Sequence, residues 1–110
     1  MTDERIATHI WVGAKLRRCF AEGTPAVVVH SGERMGGTVM LKVYQPGVGC
    51  RLMAQIRDLD GRLGWYKAHK EELVPEPEAD ALIKRAIGRD PDLWVIEVET
   101  RDGHHPFEDI

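Results

Sequence analysis

The run from Thr38 to Arg57, TVMLKVYQPGVGCRLMAQIR, decides the fold. Thr38 to Gln45 alternates, with Val39, Leu41 and Val43 set against Met40, Lys42 and Tyr44. Cys50 to Arg57 alternates too, with Cys50, Leu52, Ala54 and Ile56 set against Arg51, Met53, Gln55 and Arg57. A period of two marks a half-buried strand. Pro46-Gly47 between the runs suits a type II turn, proline presetting its own φ and glycine accepting a positive one. The expectation is a β-hairpin with one apolar and one cationic face.

Downstream, Asp58 to Gly64 turns around Asp60-Gly61, and Trp65 to His69 makes a short fourth strand. Lys70 to Pro75 links to a second helix from about Pro77 to Ile87. Pro77 suits a first turn, and Glu76, Glu78 and Asp80 suit the positive end of the helix dipole. Ala79, Leu82, Ile83, Ala86 and Ile87 form its apolar stripe. Leu93 to Glu99 reads as the last strand. After the Asp102-Gly103 turn, residues from about 103 to 110 are polar and expected to form a mobile tail.

Upstream, Ala26-Val-Val-Val-His30 lacks polar alternation and reads as a strand buried on both faces. Before it, the first helix spans about Asp3 to Glu22, with Thr2 or Asp3 as cap and Gly23 and Pro25 as stop. At helical spacing, Ile6, His9, Val12, Gly13, Leu16, Cys19 and Phe20 share an arc, and Trp11, Lys15 and Arg18 fall opposite. The order is α-β-β-β-β-α-β. Consecutive strands joined by short turns favour an α+β fold: an antiparallel sheet of about five strands, with two helices covering one face. The 110 residues suit a single domain.

Composition narrows the function classes. Apolar residues make up 43% of the chain and charged residues 30%, which excludes wholesale disorder. Fifteen basic against eighteen acidic side chains leave a net charge of -3, not the basic excess usual for nucleic-acid binders. No apolar run approaches the ~20 residues of a membrane span. The acidic N-terminus lacks the pattern of a signal peptide. Cys19 and Cys50 make no CxxC motif or dense disulfide framework, so two reduced thiols and a cytoplasmic location are expected.

Three stretches resemble one family: His9-Ile-Trp-Val-Gly-Ala-Lys-Leu-Arg-Arg18, Arg57-Asp-Leu-Asp-Gly-Arg62 and Val74-Pro-Glu-Pro-Glu-Ala-Asp80. The run Arg89-Asp-Pro-Asp-Leu-Trp-Val-Ile-Glu-Val-Glu99, continuing to Arg101-Asp-Gly103, completes the likeness. The chain is similar to the alphaproteobacterial proteins classed as domain of unknown function 1491. That resemblance implies a bacterial protein and no particular activity, catalytic residue or cofactor.

Several constellations invite chemistry. Glu97 and Glu99 share a strand face and, with Asp58 or Asp60, have the ligand type for Mg²⁺ and phosphate-ester hydrolysis. No third ligand is set by spacing, and a half-exposed strand explains the alternation equally. Asp58 to Arg62 begins like a calcium loop but lacks the closing glutamate. His104-His105, with Glu108 and Asp109, are zinc-ligand types without closed-site spacing. His9 and His30 sit on apolar arcs. Cys19 lies on the apolar side of its helix, where a thiol is inert. No catalytic residue, metal site or cofactor is assigned.

Two clusters remain. Lys42, Tyr44, Arg51 and Arg57, with Met53, mix aromatic and cationic groups on one sheet face, as a nucleic-acid platform does. Trp11, Lys15 and Arg18 lie at i, i+4 and i+7, away from the expected core. A tryptophan there calls for a cover, either a partner or its own C-terminal tail. The expected function is a small non-enzymatic binding or accessory module contacting another protein or a second copy of itself. Nucleic-acid association is the alternative, and a metal-dependent hydrolase stands third. No membrane partner is expected.

Overall fold

A computed structural model describes residues 6–107. Its elements follow the expected order: α1 (Thr8–Ala21), β1 (Ala26–His30), β2 (Val39–Gln45), β3 (Gly49–Arg57), β4 (Leu63–Lys67), α2 (Glu76–Arg89) and β5 (Trp94–Glu99). The strands form one sheet in the order β1-β5-β2-β3-β4. It is mixed, not purely antiparallel: β2 and β5 run parallel, and the other three pairs run antiparallel. The reason is the crossover. The chain leaves β4, crosses the sheet through α2, and returns on the far side of β2, where it enters in the same direction.

That return also reverses an expectation about burial. β5 takes the inner position, and Trp94, Val95, Ile96 and Val98 are all buried. β1, expected to be buried on both faces, is an edge strand with Val27 and Val29 exposed. Both runs are apolar enough for the centre, and only the topology chooses between them.

The central hairpin forms as expected, but its register does not. Gln45 accepts from the Val48 N–H at 2.9 Å, and Gly47 sits at φ 77°, as a type II turn demands. Gln45 pairs with Gly49, so the loop holds three residues, Pro46, Gly47 and Val48. Even positions therefore meet even positions: Met40 faces Ala54, Lys42 faces Leu52, and Tyr44 faces Cys50. The apolar sets of the two strands lie on opposite faces of the sheet, because one residue of register exchanges the faces of every side chain.

With apolar residues on both faces, each face takes a helix. Val12 and Cys19 of α1 pack with Val39, Leu41, Val43, Ile96 and Val98. Ala79, Ile83 and Ala86 of α2 pack with Met40, Cys50, Leu52 and Val95 on the other face. The expectation of both helices on one face is thus corrected. Cys19 and Cys50 are free thiols in these separate clusters, with the sheet between them.

The residues expected to cap α1, Thr2 and Asp3, lie outside the described residues. The helix begins at Thr8 with no side-chain cap. Its first amides are satisfied by the loop after β1: Thr8 N donates to Met35 O at 3.1 Å and His9 N to Arg34 O at 2.8 Å. Gly23, at φ 73°, ends it as expected, and Thr24 N reaches back to Cys19 O at 2.8 Å. The buried side of α1 is turned toward Trp11 and Lys15, leaving Ile6 and Phe20 in solvent. In α2, the expected stripe holds, with Leu82 and Ile87 packed at its margins.

Residues beyond β5 do not form a free tail up to position 107. The chain folds back onto the α1 face, and Phe107 is completely buried, which contributes about 2 kcal/mol. Among the described residues, no helix is long and apolar enough to cross a membrane.

Candidate functional site

Two hairpin cations lie on opposite faces of the sheet, Lys42 buried and Arg51 half-buried. Lys42 is 2% exposed beneath the head of α2. Its Nζ donates to Glu76 Oε2 at 2.8 Å and Asp80 Oδ1 at 2.8 Å, and lies 3.1 Å from Glu97 Oε1 on β5. Glu76 and Asp80 are one helical turn apart, so both reach the same point. Nζ also stands 5.7 Å from the Tyr44 ring centre. Burial opposes the charge on Lys42, but hydrogen bonds to Asp80, Glu76 and Glu97 outweigh it and hold the ammonium well above the usual lysine range. Such a lysine is a fixed cation, unsuited to acting as a base or nucleophile at neutral pH.

Arg51 lies on the opposite face. Its Nη2 donates to Gly103 O at 3.2 Å, while its buried Nε has no hydrogen-bond partner. No carboxylate among the described residues pairs with it. Arg51, Met53, Trp65 and His105 line a cleft of about 170 Å³. Trp65 is held by its indole N–H, which donates to Phe107 O at 2.9 Å. Trp11 stands behind it, with ring centres 6.4 Å apart, and meets the Phe107 ring edge-on at 5.7 Å.

The expected cationic platform is therefore divided. Lys42 and Tyr44 face α2, Arg51 and Met53 face α1, and Arg57 is exposed at the end of β3, donating to Gly61 O. The three-residue loop is the physical cause. Of the two covers expected for Trp11, the structure shows its own C-terminal segment. Trp11 packs against the α1-face core under that returning segment. Lys15 lies beside it, 5.7 Å from its ring centre, with Nζ donating to Pro106 O at 3.5 Å. Arg18 turns outward and pairs with Glu22 one turn on, at 3.0 Å.

Of the remaining candidates, Glu108 and Asp109 lie outside the described residues. Glu97 is engaged by Lys42, Glu99 is exposed, and Asp58 Oδ1 accepts from the N–H groups of Asp60 and Arg62 in the β3–β4 turn. These carboxylates do not converge. Among the described residues, no three His, Cys, Asp or Glu side chains are grouped to hold a metal. His69 Nε2 accepts from Leu52 N at 3.1 Å, and its Nδ1 donates to Glu71 O at 2.7 Å. His30 Nδ1 meets Leu93 O at 2.7 Å, and His9 Nδ1 meets Arg34 O at 3.0 Å. Burial pushes both thiols up, keeping them protonated.

Sequence reasoning missed the exposed apolar edge at Val27 and Val29, because strand order decides which strand is outermost. It also missed the convergence on Lys42. The i, i+4 pair Glu76 and Asp80 was the available signal, read only as dipole compensation.

The chain's similarity to known proteins runs nearly end to end. A family described as "Protein of unknown function (DUF1491)" matches residues 6–108. The crystal structure of a DUF1491 family protein from Caulobacter crescentus is 36% identical, with a TM-score of 0.83 over 93% of this chain and 94% of that one. An NMR structure of a DUF1491 family protein from the same organism is 36% identical, with a TM-score of 0.80 over 92% and 91%. The solution structure of protein Atu0922 from A. tumefaciens is 25% identical, with a TM-score of 0.73 over 88% and 87%. No curated protein matches the chain.

Proposed function

This chain belongs to the DUF1491 family of proteins of unknown function, and from that premise we propose that it is a cytoplasmic, non-enzymatic binding module. It contacts another protein, or a second copy of itself, through the β1 edge. The observation that carries this reading is the exposure of Val27 and Val29, at 55% and 48%, on an edge strand without a single charged residue. Edge strands of monomers are normally blunted by charge or proline, and an apolar one invites strand addition. The ladder with β5 shifts register between Val28 and His30, and His30 pairs with Val95 beyond it. The adjacent helix α1 adds Phe20, 89% exposed. Two free, buried thiols support the cytoplasmic setting.

Sedimentation equilibrium over a range of concentrations tests the contact. A dimer that Val27→Lys dissociates without lowering the thermal midpoint supports self-pairing through β1. A monomer whose β1 amides exchange freely moves the reading to a partner's strand. A dimer indifferent to Val27→Lys overturns β1 as the contact.

A further inference from the structure

We propose that the cleft between Arg51, Met53, Trp65 and His105 binds a small planar carboxylate about the size of one aromatic ring. This site lies on the α1 face and is independent of the β1 edge. Its volume, about 170 Å³, is comparable to the ~150 Å³ apolar cavity that accommodates benzene in an engineered protein core. The walls are an indole, a thioether and an imidazole, surfaces that take a flat apolar body.

The charge in this cleft belongs to Arg51. One of its nitrogens is committed to Gly103 O, and its buried Nε has no partner. Nη1 makes no hydrogen bond to any described residue. Arg51 lines the cleft beside Trp65 and His105, and no carboxylate among the described residues pairs with its guanidinium, which is an electrostatic deficit. Lys42, on the other face, shows how this fold satisfies an internal cation when the partner is its own.

A carboxylate fits that deficit better than a phosphate. It is planar, as the guanidinium is, and its single charge matches the one cation at the wall. A dianionic phosphate calls for several convergent donors, which a cleft with one arginine does not supply. His105 adds a polar margin, its Nδ1 accepting from the Phe107 N–H at 3.1 Å. The indole N–H of Trp65 is spent on Phe107 O, so Trp65 contributes a wall rather than a donor.

The test uses benzoate, benzyl alcohol and inorganic phosphate as probes on the native chain. The readout is the indole N–H resonance of Trp65 in nitrogen-labelled protein, assigned with Trp65→Phe. Benzoate is expected to shift that resonance saturably. Benzyl alcohol should bind about tenfold more weakly or worse, the worth of a charge-assisted hydrogen bond. Arg51→Met, with an unchanged thermal midpoint, should weaken benzoate to the same degree. The proposal is overturned if benzoate leaves Trp65 unmoved, if benzyl alcohol binds equally well, or if phosphate alone reproduces the shift. Should Arg51→Met fail to fold, the contrast between benzoate and benzyl alcohol on the native protein still decides.

Discussion

Lys42 and Arg51 stand on adjacent strands of one hairpin, yet the two sides of the sheet treat them differently. On the α2 side, Lys42 meets three carboxylates from α2 and β5. On the α1 side, Arg51 meets one backbone carbonyl and aromatic walls. The first arrangement is closed: its polar demand is met within the chain, and it ties a helix to the sheet. The second is open. Buried cations carry a large desolvation cost unless paired, so the fully paired Lys42 belongs to the architecture, whereas the half-buried Arg51 is the cation of the proposed cleft site.

The largest effect should come from Lys42→Met, which keeps most of the volume and removes the charge. Three neighbouring carboxylates then face one another without their common cation. A loss of about 3 kcal/mol is expected from urea unfolding, the lower end for broken buried pairs because the carboxylates keep partial solvent contact. A loss below about 1 kcal/mol would remove the distinction between the two sides.

Trp11→Ala comes next. Trp11 packs against Trp65 and Phe107 while retaining some exposure, so about 2–3 kcal/mol is expected, under the usual range for a fully buried tryptophan. A near-neutral result would return Trp11 to the surface as a partner anchor.

A third effect lies in alkaline solution. The pKa of Lys42 is raised on folding, so its stabilisation is complete below the unfolded-state value of about 10.4 and is lost as pH rises through the folded value. The urea midpoint of the native chain should fall with rising pH above about 10. Lys42→Met should lack that component, and parallel curves for the two proteins would contradict the pairing. The smallest effect is expected at Arg51, where Arg51→Met should change stability by no more than about 1 kcal/mol, since one neutral-acceptor hydrogen bond is lost and no ion pair.

Much of the fold was legible because its signals are local. The Pro46-Gly47 turn, the stop at Gly23 and the stripe of α2 each follow from a few neighbouring residues. What escaped depends on distance or on parity. Val48, one residue beyond the expected turn, moves Lys42 and Arg51 to opposite faces. Glu76 and Asp80 lie 34 and 38 positions from Lys42, too far for any spacing rule to join them. The cleft was illegible for a related reason: one of its walls, His105, comes from the segment Gly103 to Phe107, a polar-looking stretch whose single phenylalanine returns to the core. Trp11 is legible as an aromatic in need of cover, and its cover is that segment.

The insertion of β5 between β1 and β2 also governs the order of assembly during synthesis. β1 ends at His30, but its strand partner among the described residues begins at Trp94. Helix α1 and β1 therefore leave the ribosome before the strand that completes their side of the sheet. The hairpin from β2 to β3, a local pairing, has no such delay. Nascent chains ending before Trp94 hold Val27, Val28 and Val29 without a ladder, which is the interval in which an apolar strand is most open to chaperones or to misassociation.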